Sequence, residues 1–281
     1  MYDRSEKNII RLTEMTKRMR LKGLDMALST GNAGSHLGGS FSCMEILAVL
    51  YGEVLRLFDD DSSKKLSEKR DIFIPSKNHC VLAHIPALAE AGLISDDECM
   101  EFQKNGGRLT GYPMRHEIGL EYSGGSLGMA ISVEIGMALA DKEKKTNRRF
   151  YVLMGDAELN EGSIWEAFMS AAHYKLDNLV AIIDRNHLSY DGNTEDVMAL
   201  GDLAGKLESF GWYVSECNGR DVGDVLRSFD ECTEITDKPQ AIIVDTIKGM
   251  GVSFMEGKPE FHHRRLSEKE YEIARAEVMG E

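Results

Sequence analysis

The sequence predicts an α/β protein with a doubly wound, mostly parallel sheet and helices on both faces. Short apolar runs of strand length recur at residues 150–154, 179–183 and 241–247. Segments with apolar residues at helical spacing alternate with these runs, and that alternation is typical of βαβ units. The chain has 281 residues, of which 42% are hydrophobic, enough for one large α/β domain or two small ones. No repeat or low-complexity linker divides it, so we expect a single domain over residues 1–281.

The first half of the chain is predicted to be mainly helical. Residues 4–29 carry an apolar stripe that includes Leu12, Met15 and Met19 at the spacing of one helix face. The segment 62–70 is a charged connector that we expect to be a solvated surface. The other elements predicted here are helices at 44–57, 79–91 and 96–105 and a short strand at 71–75.

The second half supplies most of the predicted sheet. A glycine-rich stretch at 123–128 precedes a long predicted helix at 129–144. The last segment is predicted to be a helix capped by Ser267, with Glu270 completing a capping box. The remaining predicted elements are strands at 150–154, 179–183, 212–215 and 241–247 and helices at 164–172, 203–210, 222–232 and 267–278.

Charge and cysteine content narrow the classes of partner and the compartment. The chain has 33 Lys and Arg against 47 Asp and Glu, a formal charge of −14, and no basic tract interrupts this excess. We therefore expect neither nucleic acid nor an anionic membrane as a partner. The five cysteines are odd in number and form no Cys-x-x-Cys pair, which favours free thiols in the cytoplasm. The charged N-terminus and the lack of a long apolar run predict neither a signal peptide nor a membrane span.

A carboxylate and an amide follow two neighbouring predicted strands. The run 150–154 ends in Gly155-Asp156, and the run 179–183 leads into Asn186. Parallel strands joined by a helix end at the same edge of a sheet, so both side chains are expected at the carboxyl edge, where such sheets bind ligands. Magnesium takes about six oxygen ligands. Asp156, Asn186 and the carbonyl of Leu188 can supply three, and two diphosphate oxygens and a water complete the shell.

Gly155 and Ala157 are expected to help hold that diphosphate. Gly155 allows a sharp turn, and the N–H of Ala157 is expected to face a phosphate oxygen near the start of the next helix. The alternative is purely structural, with Asp156 as a helix N-cap and Asn186 as a turn former. Either residue alone fits that alternative, but their paired placement favours the ligand site.

The segment 155–167 resembles a known cofactor motif. Its sequence is GDAELNEGSIWEA, and an asparagine follows the Gly-Asp pair about thirty residues later. This combination resembles the thiamine-diphosphate motif, and the run itself is similar to that of transketolases. The resemblance implies the thiamine-diphosphate-binding fold, in its diphosphate-binding domain. It implies that Asp156, Asn186 and the Leu188 carbonyl hold Mg²⁺ (or Ca²⁺ or Mn²⁺), and that Glu161 supports the cofactor from a dimer interface.

Two histidine turns also resemble transketolase. His36 lies in a His-x-Gly-Gly turn of the kind that the family places beside the reacting sugar. His79 follows a predicted strand, as in the family's strand-end Gly-His, but Asn78 replaces the glycine. Because Asn tolerates positive φ better than most residues, we expect the turn to persist. Without the resemblance, His36 would be interpreted as an exposed loop histidine.

Three further segments carry residues that the resemblance assigns to the cofactor. A Gly-x-Leu-Gly loop implies that Gly125 lies against the diphosphate and that Leu127 packs near the thiazolium ring. Of the adjacent pair His262 and His263, position favours His262 as the histidine that contacts both cofactor and substrate. Tyr190 is also expected in the cofactor site. Taken alone, vicinal histidines in a polar segment fit an exposed surface equally well.

One position departs from the family. Tyr112 lies in Gly-Tyr-Pro, where transketolases usually have Gly-His-Pro with a histidine that contacts the substrate. Tyr112 keeps a hydrogen-bonding group but changes its reach and its pKa. Either His116 compensates for the change or the sugar is an unusual one. The departure therefore concerns the substrate more than the cofactor.

The resemblance covers nearly the whole chain but only the N-terminal part of a transketolase. The other parts are the pyrimidine-binding domain, with its glutamate for the aminopyrimidine, and the C-terminal domain. The resemblance thus implies the N-terminal subunit of a split transketolase, which moves a two-carbon ketol unit from a ketose (phosphate) to an aldose (phosphate). His36, His79 and His262 would bond the sugar oxygens. We expect a separate C-terminal partner subunit, two copies of each chain, and contact through the apolar helices at 129–140 and 164–172.

Two alternatives stay open on the sequence alone. One is another thiamine-diphosphate enzyme, such as a 1-deoxyxylulose-phosphate synthase-like protein or the α subunit of a 2-oxo-acid dehydrogenase, although the run 158–165 favours transketolase. The other is a non-catalytic nucleotide-binding module. Its best support is Gly249-Met250-Gly251 after a predicted strand, but Phe254 occupies the third glycine position of a dinucleotide fingerprint.

Overall fold

The computed structural model describes residues 1–59, 65–116 and 119–281. Five strands in these ranges form a sheet in which the neighbouring strands are parallel. They are β1 (Ile72–Pro75), β2 (Phe150–Gly155), β3 (Leu179–Arg185), β4 (Tyr213–Asn218) and β5 (Gln240–Asp245). Their order across the sheet is β1-β2-β3-β5-β4. The predicted parallel α/β architecture is therefore confirmed.

Helices connect and cover these strands. Side-chain caps fix several helix starts; for example, Ser5 accepts a hydrogen bond from the N–H of Asn8, and Asp221 accepts from the N–H groups of Gly223 and Asp224. In the described ranges the α-helices are α1 (Glu6–Ser29), α2 (Gly38–Phe41), α3 (Met44–Val49), α4 (Val81–Glu90), α5 (Asp96–Cys99), α6 (Ala130–Lys144), α7 (Gly162–His173), α8 (Thr194–Met198), α9 (Leu203–Ser209), α10 (Val222–Cys232) and α11 (Glu268–Met279).

Alternate residues of each strand pack into opposite layers. Phe73, Tyr151 and Leu153 join the layer formed with α1, α3, α4 and α10. Phe150 and Val152 join the other layer, formed with α6, α7 and α9. Successive side chains of a strand point to opposite faces, so a strand covered on both faces needs apolar residues throughout. This is why β2 has an uninterrupted apolar sequence, and helices on both faces confirm the doubly wound arrangement.

Two predicted helices end earlier than expected. The segment predicted at 96–105 is helical only as α5, because the next N–H groups bond carbonyls three residues back and Gln103 has a φ of +57°. The segment predicted at 44–57 continues past α3 as a π-helical turn, Leu50–Val54. The N–H of Leu55 bonds the carbonyl of Leu50 at 2.9 Å, and the helix stops there.

The remaining expectations about local structure are largely met. The N-cap of α11 is Ser267, and Glu270 completes the capping box as predicted. Helix α8 was not expected, because five residues are too few to show apolar periodicity. Residues 62–64 of the predicted connector lie outside the described ranges; of the others, Glu68 is exposed but Ser67 is buried.

All five cysteines are buried and unpaired, as expected for free thiols. In the described ranges, no helix is both long and apolar enough to cross a membrane.

Candidate active site

The expected metal ligands lie where β2 and β3 end side by side. Gly155 is in register with Asp184, and the N–H of Asp156 donates to the carbonyl of Asp184 at 3.2 Å. The Asp156 side chain is buried, and its Oδ2 accepts the N–H of His187 at 2.7 Å. Asp156 is therefore held directly against the 186–188 segment, as the parallel-strand argument predicts.

His187 adopts an unusual backbone conformation between two expected ligands. Its φ is +65°, in the left-handed region that non-glycine residues rarely occupy. Its N–H is bonded to Asp156, and its ring Nε2 lies 2.6 Å from Oδ1 of Asp245 at the end of β5. The two contacts stabilise this turn, and the residues on either side, Asn186 and Leu188, both line the same cavity as Asp156.

A cavity of about 200 Å³ lies at this edge of the sheet. It brings together segments from α2 to the loop after β5. The sequence-predicted residues that line it are His79, Leu127, Gly155, Asp156, Ala157, Asn186, Leu188, Tyr190 and His262. The lining also includes residues that the sequence did not assign to a role: Gly39, Lys77, Glu158, Ser189 and Lys248.

The three other predicted site residues lie around the cavity. His36 is next to two lining residues, with its ring centroid 5.2 Å from that of His79 and 5.5 Å from that of His262. A β-carbon built on Gly125 would lie 3.1 Å from the Tyr112 ring, so the backbone there lies close beneath an aromatic side chain. Glu161 is exposed at the N-cap of α7.

The histidines gather because distant segments are bonded together. The N–H of Ser35 donates to the carbonyl of Arg264 at 3.1 Å, and the reverse bond is 3.2 Å long. This bridge places His262 and His263 beside His36, with the His36 and His263 ring centroids only 4.5 Å apart. The rings of Tyr190 and His262 lie edge to face with their centroids 5.0 Å apart. Sequence spacing could not reveal this cluster.

Burial keeps these histidines neutral. Burial, with smaller contributions from His263 and His262, lowers the pKa of His36 to about 3. Burial and the nearby Lys248 lower the pKa of His262 to about 4. Burial and Lys77 hold the pKa of His79 well below its usual range. A neutral imidazole offers one donor and one acceptor, and Nδ1 of His262 is buried without a hydrogen-bond partner among the residues that the structure describes.

Two further lining residues, Asp156 and Lys248, have shifted pKa values. Burial, and then the neighbouring Asp184 carboxylate, raise the pKa of Asp156 to about 6. Burial, and then Lys77, lower the pKa of Lys248 to about 8. A carboxylate and an ammonium shifted in these directions are stabilised in their charged forms by a further cation and a further anion respectively. A divalent cation with a diphosphate provides both charges.

The oxygen set suits such a cation. Mg²⁺ in phosphate sites takes one or two carboxylates, with substrate phosphates and water completing the shell. In the part of the chain that the structure describes, no group of three or more His, Cys, Asp or Glu could hold a metal. One carboxylate, one amide and one carbonyl, from Asp156, Asn186 and Leu188, fit a cation that shares its shell with a diphosphate, because Mg²⁺ prefers oxygen ligands.

Lys248 was missed by sequence reasoning. Its side chain is buried, and its Nζ donates to the carbonyls of Leu188 and Ser189, at 3.0 Å each. The residue that follows Lys248 has to be a glycine. Gly249 has a φ of +80°, and a β-carbon there would lie 2.5 Å from the Met255 carbonyl oxygen. The glycines after β5 thus shape the turn that places Lys248. No helix begins at this turn, so the dinucleotide interpretation loses its support.

Glu158 was also missed. Its Oε1 accepts the N–H of Gly128 at 2.8 Å and the hydroxyl of Ser76, and its Oε2 accepts the N–H of Gly155 at 3.1 Å. One buried carboxylate thus connects the glycine-rich loop and the end of β1 to the turn at Gly155-Asp156. Glu158 lies two residues after Asp156, but in the sequence it looks like an ordinary acidic residue in a first helical turn.

Two local contacts were not expected. The turn before His79 persists as predicted but without a positive φ at Asn78; the Asn78 Nδ2 donates to the Gly124 carbonyl at 2.7 Å and connects the His79 turn to the glycine-rich loop. The N–H of Ala157 donates to Oδ1 of Asp156 at 2.8 Å. Helix α7 also begins only at Gly162, after a 3₁₀ turn.

Comparison with known proteins decides the family. Residues 12–280 match the family described as transketolase, thiamine diphosphate binding domain. The chain belongs to the transketolase family. It is 41% identical over 274 residues to an apulose-4-phosphate transketolase subunit of Phocaeicola vulgatus, covering 98% of this chain and 92% of the relative. It is 35% identical over 247 residues to a 6-deoxy-6-sulfo-D-fructose transketolase subunit of Clostridium sp., covering 88% and 89% respectively.

A solved transketolase has the same fold. The transketolase from Leishmania mexicana superimposes with a TM-score of 0.85 at 26% identity, covering 95% of this chain but 41% of that chain. The present chain therefore spans less than half of a longer family member and nearly all of the relatives that are named as subunits. That pattern confirms the N-terminal subunit of a split transketolase and the thiamine-diphosphate-binding fold. It also favours transketolase over the alternative thiamine-diphosphate enzymes.

Proposed function

We propose that this subunit holds the diphosphate of thiamine diphosphate through a divalent cation and takes part in ketol transfer. The two-carbon unit passes from a ketose or ketose phosphate to an aldose or aldose phosphate. The observation that carries the proposal is that one cavity is lined both by Asp156, Asn186 and Leu188 and by two histidines. The pKa values of those histidines, His79 and His262, are lowered by burial.

The oxygen ligands bind the cation and thereby orient the cofactor. Oxygens of Asp156, Asn186 and Leu188 hold Mg²⁺ (or Ca²⁺ or Mn²⁺), and the diphosphate compensates the charge of both the cation and the buried Lys248. The glycine-rich loop contributes Gly125, where the backbone can approach a phosphate closely. Four lining residues contact the rest of the cofactor in this proposal: Leu127, Gly155, Ala157 and Tyr190.

In this proposal the histidines bind the sugar. Thiamine diphosphate supplies, when bound, the carbanion chemistry for breaking and forming the bond beside the ketose carbonyl. His36, His79 and His262 are neutral at physiological pH, so each can donate one hydrogen bond and accept another. We assign Nδ1 of His262, which has no hydrogen-bond partner within the described part of the chain, to a sugar oxygen whose charge changes during the reaction.

We further propose that activity needs a separate C-terminal subunit, with two copies of each chain. Glu161 supports this because its side chain is exposed beside the cavity and available to a partner. Helices α6 and α7, together with the N-cap residue of α6, also expose large apolar side chains, with exposed fractions of 49% for Met129, 42% for Val133 and 59% for Met169. Apolar surface of this kind is typical of obligate interfaces. We also propose one domain over residues 1–281 and, from the unpaired thiols, a cytoplasmic location.

The test is to assay ketol transfer with this chain alone and then with its co-purified partner. We expect no activity from the lone chain, activity from the mixture, and a mass of two copies of each chain by light scattering. Val133→Asp should prevent assembly, since it puts a charge on the proposed interface. Ile10→Asp is the matched control, because Ile10 is 57% exposed on α1. Full activity from the lone chain would overturn the split-subunit proposal.

A further inference from the structure

Asp184 is a buried hub beside the proposed cation site. It lies at the end of β3, its side chain is fully buried, and it accepts hydrogen bonds from four other side chains. Its Oδ2 accepts the hydroxyl of Ser42 at 2.6 Å and Nδ2 of Asn186 at 3.1 Å. The ammonium of Lys77 and the hydroxyl of Thr246 complete the set. Asp184 itself does not line the cavity.

The bond to Asn186 has a consequence for metal binding. A carboxamide has two ends of nearly equal size, but only its oxygen can bind a cation. In the structure, Nδ2 of Asn186 donates to Asp184, and Oδ1 accepts the N–H of Leu188 at 3.2 Å. A flipped amide would place its oxygen against the Asp184 carboxylate and its NH₂ against the N–H of Leu188. Both contacts would be repulsive, so the orientation is fixed at both ends.

The orientation leaves the oxygen able to bind. A carbonyl-type oxygen has two lone pairs, and Oδ1 of Asn186 uses one of them for Leu188. Asn186 lines the cavity together with Asp156, so its second lone pair is available to a cation there. Lys77 is buried against Asp184 and balances the charge of that carboxylate.

We infer that Asp184 is a positioning residue that holds the Asn186 amide with its oxygen, and not its nitrogen, toward the metal. The inference rests on the proposed cation site and goes beyond it, because Asp184 acts through Asn186 without touching the cation. Residues that orient metal ligands in this way are worth roughly 10- to 100-fold in metal affinity.

The test measures Mn²⁺ affinity by electron paramagnetic resonance, with thiamine diphosphate present and the chain in complex with its co-purified partner. The main variant is Lys77→Met with Asp184→Leu, which replaces a buried ion pair by apolar side chains without leaving an unpaired charge. Lys77→Met alone is the control, since Asp184 can still accept from Asn186. Thermal unfolding of each variant shows whether it folds.

We expect the double variant to bind Mn²⁺ about 10- to 100-fold more weakly than the wild type, and Lys77→Met to bind within about threefold. Adding Asn186→Asp to the double variant should restore affinity, because a carboxylate presents an oxygen whichever way it rotates. The same change in the wild type should not raise affinity, since it sets two carboxylates side by side. That contrast separates an effect of the Asn186 amide orientation on Mn²⁺ affinity from an effect of added negative charge.

Three outcomes would overturn the inference. They are full affinity in the double variant, an equal loss in Lys77→Met alone, and no recovery on adding Asn186→Asp. Each leaves the proposed cation site standing, provided the wild type binds Mn²⁺. A wild type without a Mn²⁺ site would overturn the proposed function and this inference together.

Discussion

The rings of Tyr112 and His36 lie edge to face with their centroids 5.6 Å apart. Tyr112 also packs over Gly125 of the glycine-rich loop, and its side chain remains 45% exposed. Tyr112 therefore contacts both the expected diphosphate loop and the histidine cluster. His116, the residue considered as a compensating histidine, forms a backbone bridge with Leu120.

This placement leads to a prediction about sugar choice. Tyr112→His should change the ratios of kcat/KM among ketose donors, because a polar contact in a closed site discriminates strongly between substrates. Its affinity for thiamine diphosphate should stay close to that of the wild type. Tyr174→His, at an exposed site on the C-terminal end of α7, is the control. Unchanged donor ratios in a panel assay would show that Tyr112 does not contact the substrate.

Asp156→Ala should abolish metal-dependent binding of thiamine diphosphate and leave the fold intact. The physical reason is that a buried diphosphate without its cation leaves uncompensated charge. Calorimetric titration of the assembled enzyme measures the effect, and circular dichroism checks the fold. Asp177→Ala is the matched control, since Asp177 lies just before β3 at the other end of the sheet. An unchanged affinity in Asp156→Ala would contradict the metal assignment.

The adjacent histidines should differ in their effects. His262→Ala should lower kcat/KM by about 10²- to 10⁴-fold, the usual range for a residue that transfers protons or stabilises charge. His263→Ala should cost much less, because His263 is exposed and does not line the cavity, although its ring lies 4.5 Å from that of His36. Steady-state kinetics decides between them. The reverse ranking would mean that His263 is the reacting residue.

Glu134 gives a prediction about pH and stability. It lies on the buried side of α6, and burial raises the pKa of its carboxyl well above the ordinary value of 4.5. Above about pH 4.5 the unfolded chain therefore loses a proton that the folded chain keeps. Stability then falls as the pH rises, by up to about 1.4 kcal/mol per pH unit until the folded-state pKa is reached.

Glu134→Gln removes this dependence, so the unfolding free energy of this variant relative to that of the wild type should grow as the pH rises above about 4.5. Urea unfolding at several pH values measures the difference. Glu143→Gln, at an exposed position of the same helix, should show almost no such trend. If the difference in unfolding free energy between Glu134→Gln and the wild type stayed constant across pH, the carboxyl of Glu134 would not be protonated in the folded protein.

The sequence could predict contacts that follow from strand topology. Asp156 and Asn186 end two strands that a helix connects, and parallel strands joined in this way must end at the same edge. The apolar runs of β2 and β3 predicted their burial because a strand covered on both faces has no solvent-facing side chains. Helix α8 and the early end of α5 were not predictable from periodicity, since single turns carry too few residues to show it.

By itself, the sequence determined the α/β class, the family and the pair Asp156 and Asn186, because these depend on local patterns and on motifs within a short stretch. Only the tertiary structure decided which distant side chains surround that pair. The bridge from Ser35 to Arg264 brings His262 to His36, and Asp184 gathers Lys77 from the end of β1. Such contacts depend on how separate segments pack at one sheet edge, and hydrogen bonds between distant segments leave no periodic trace in the sequence.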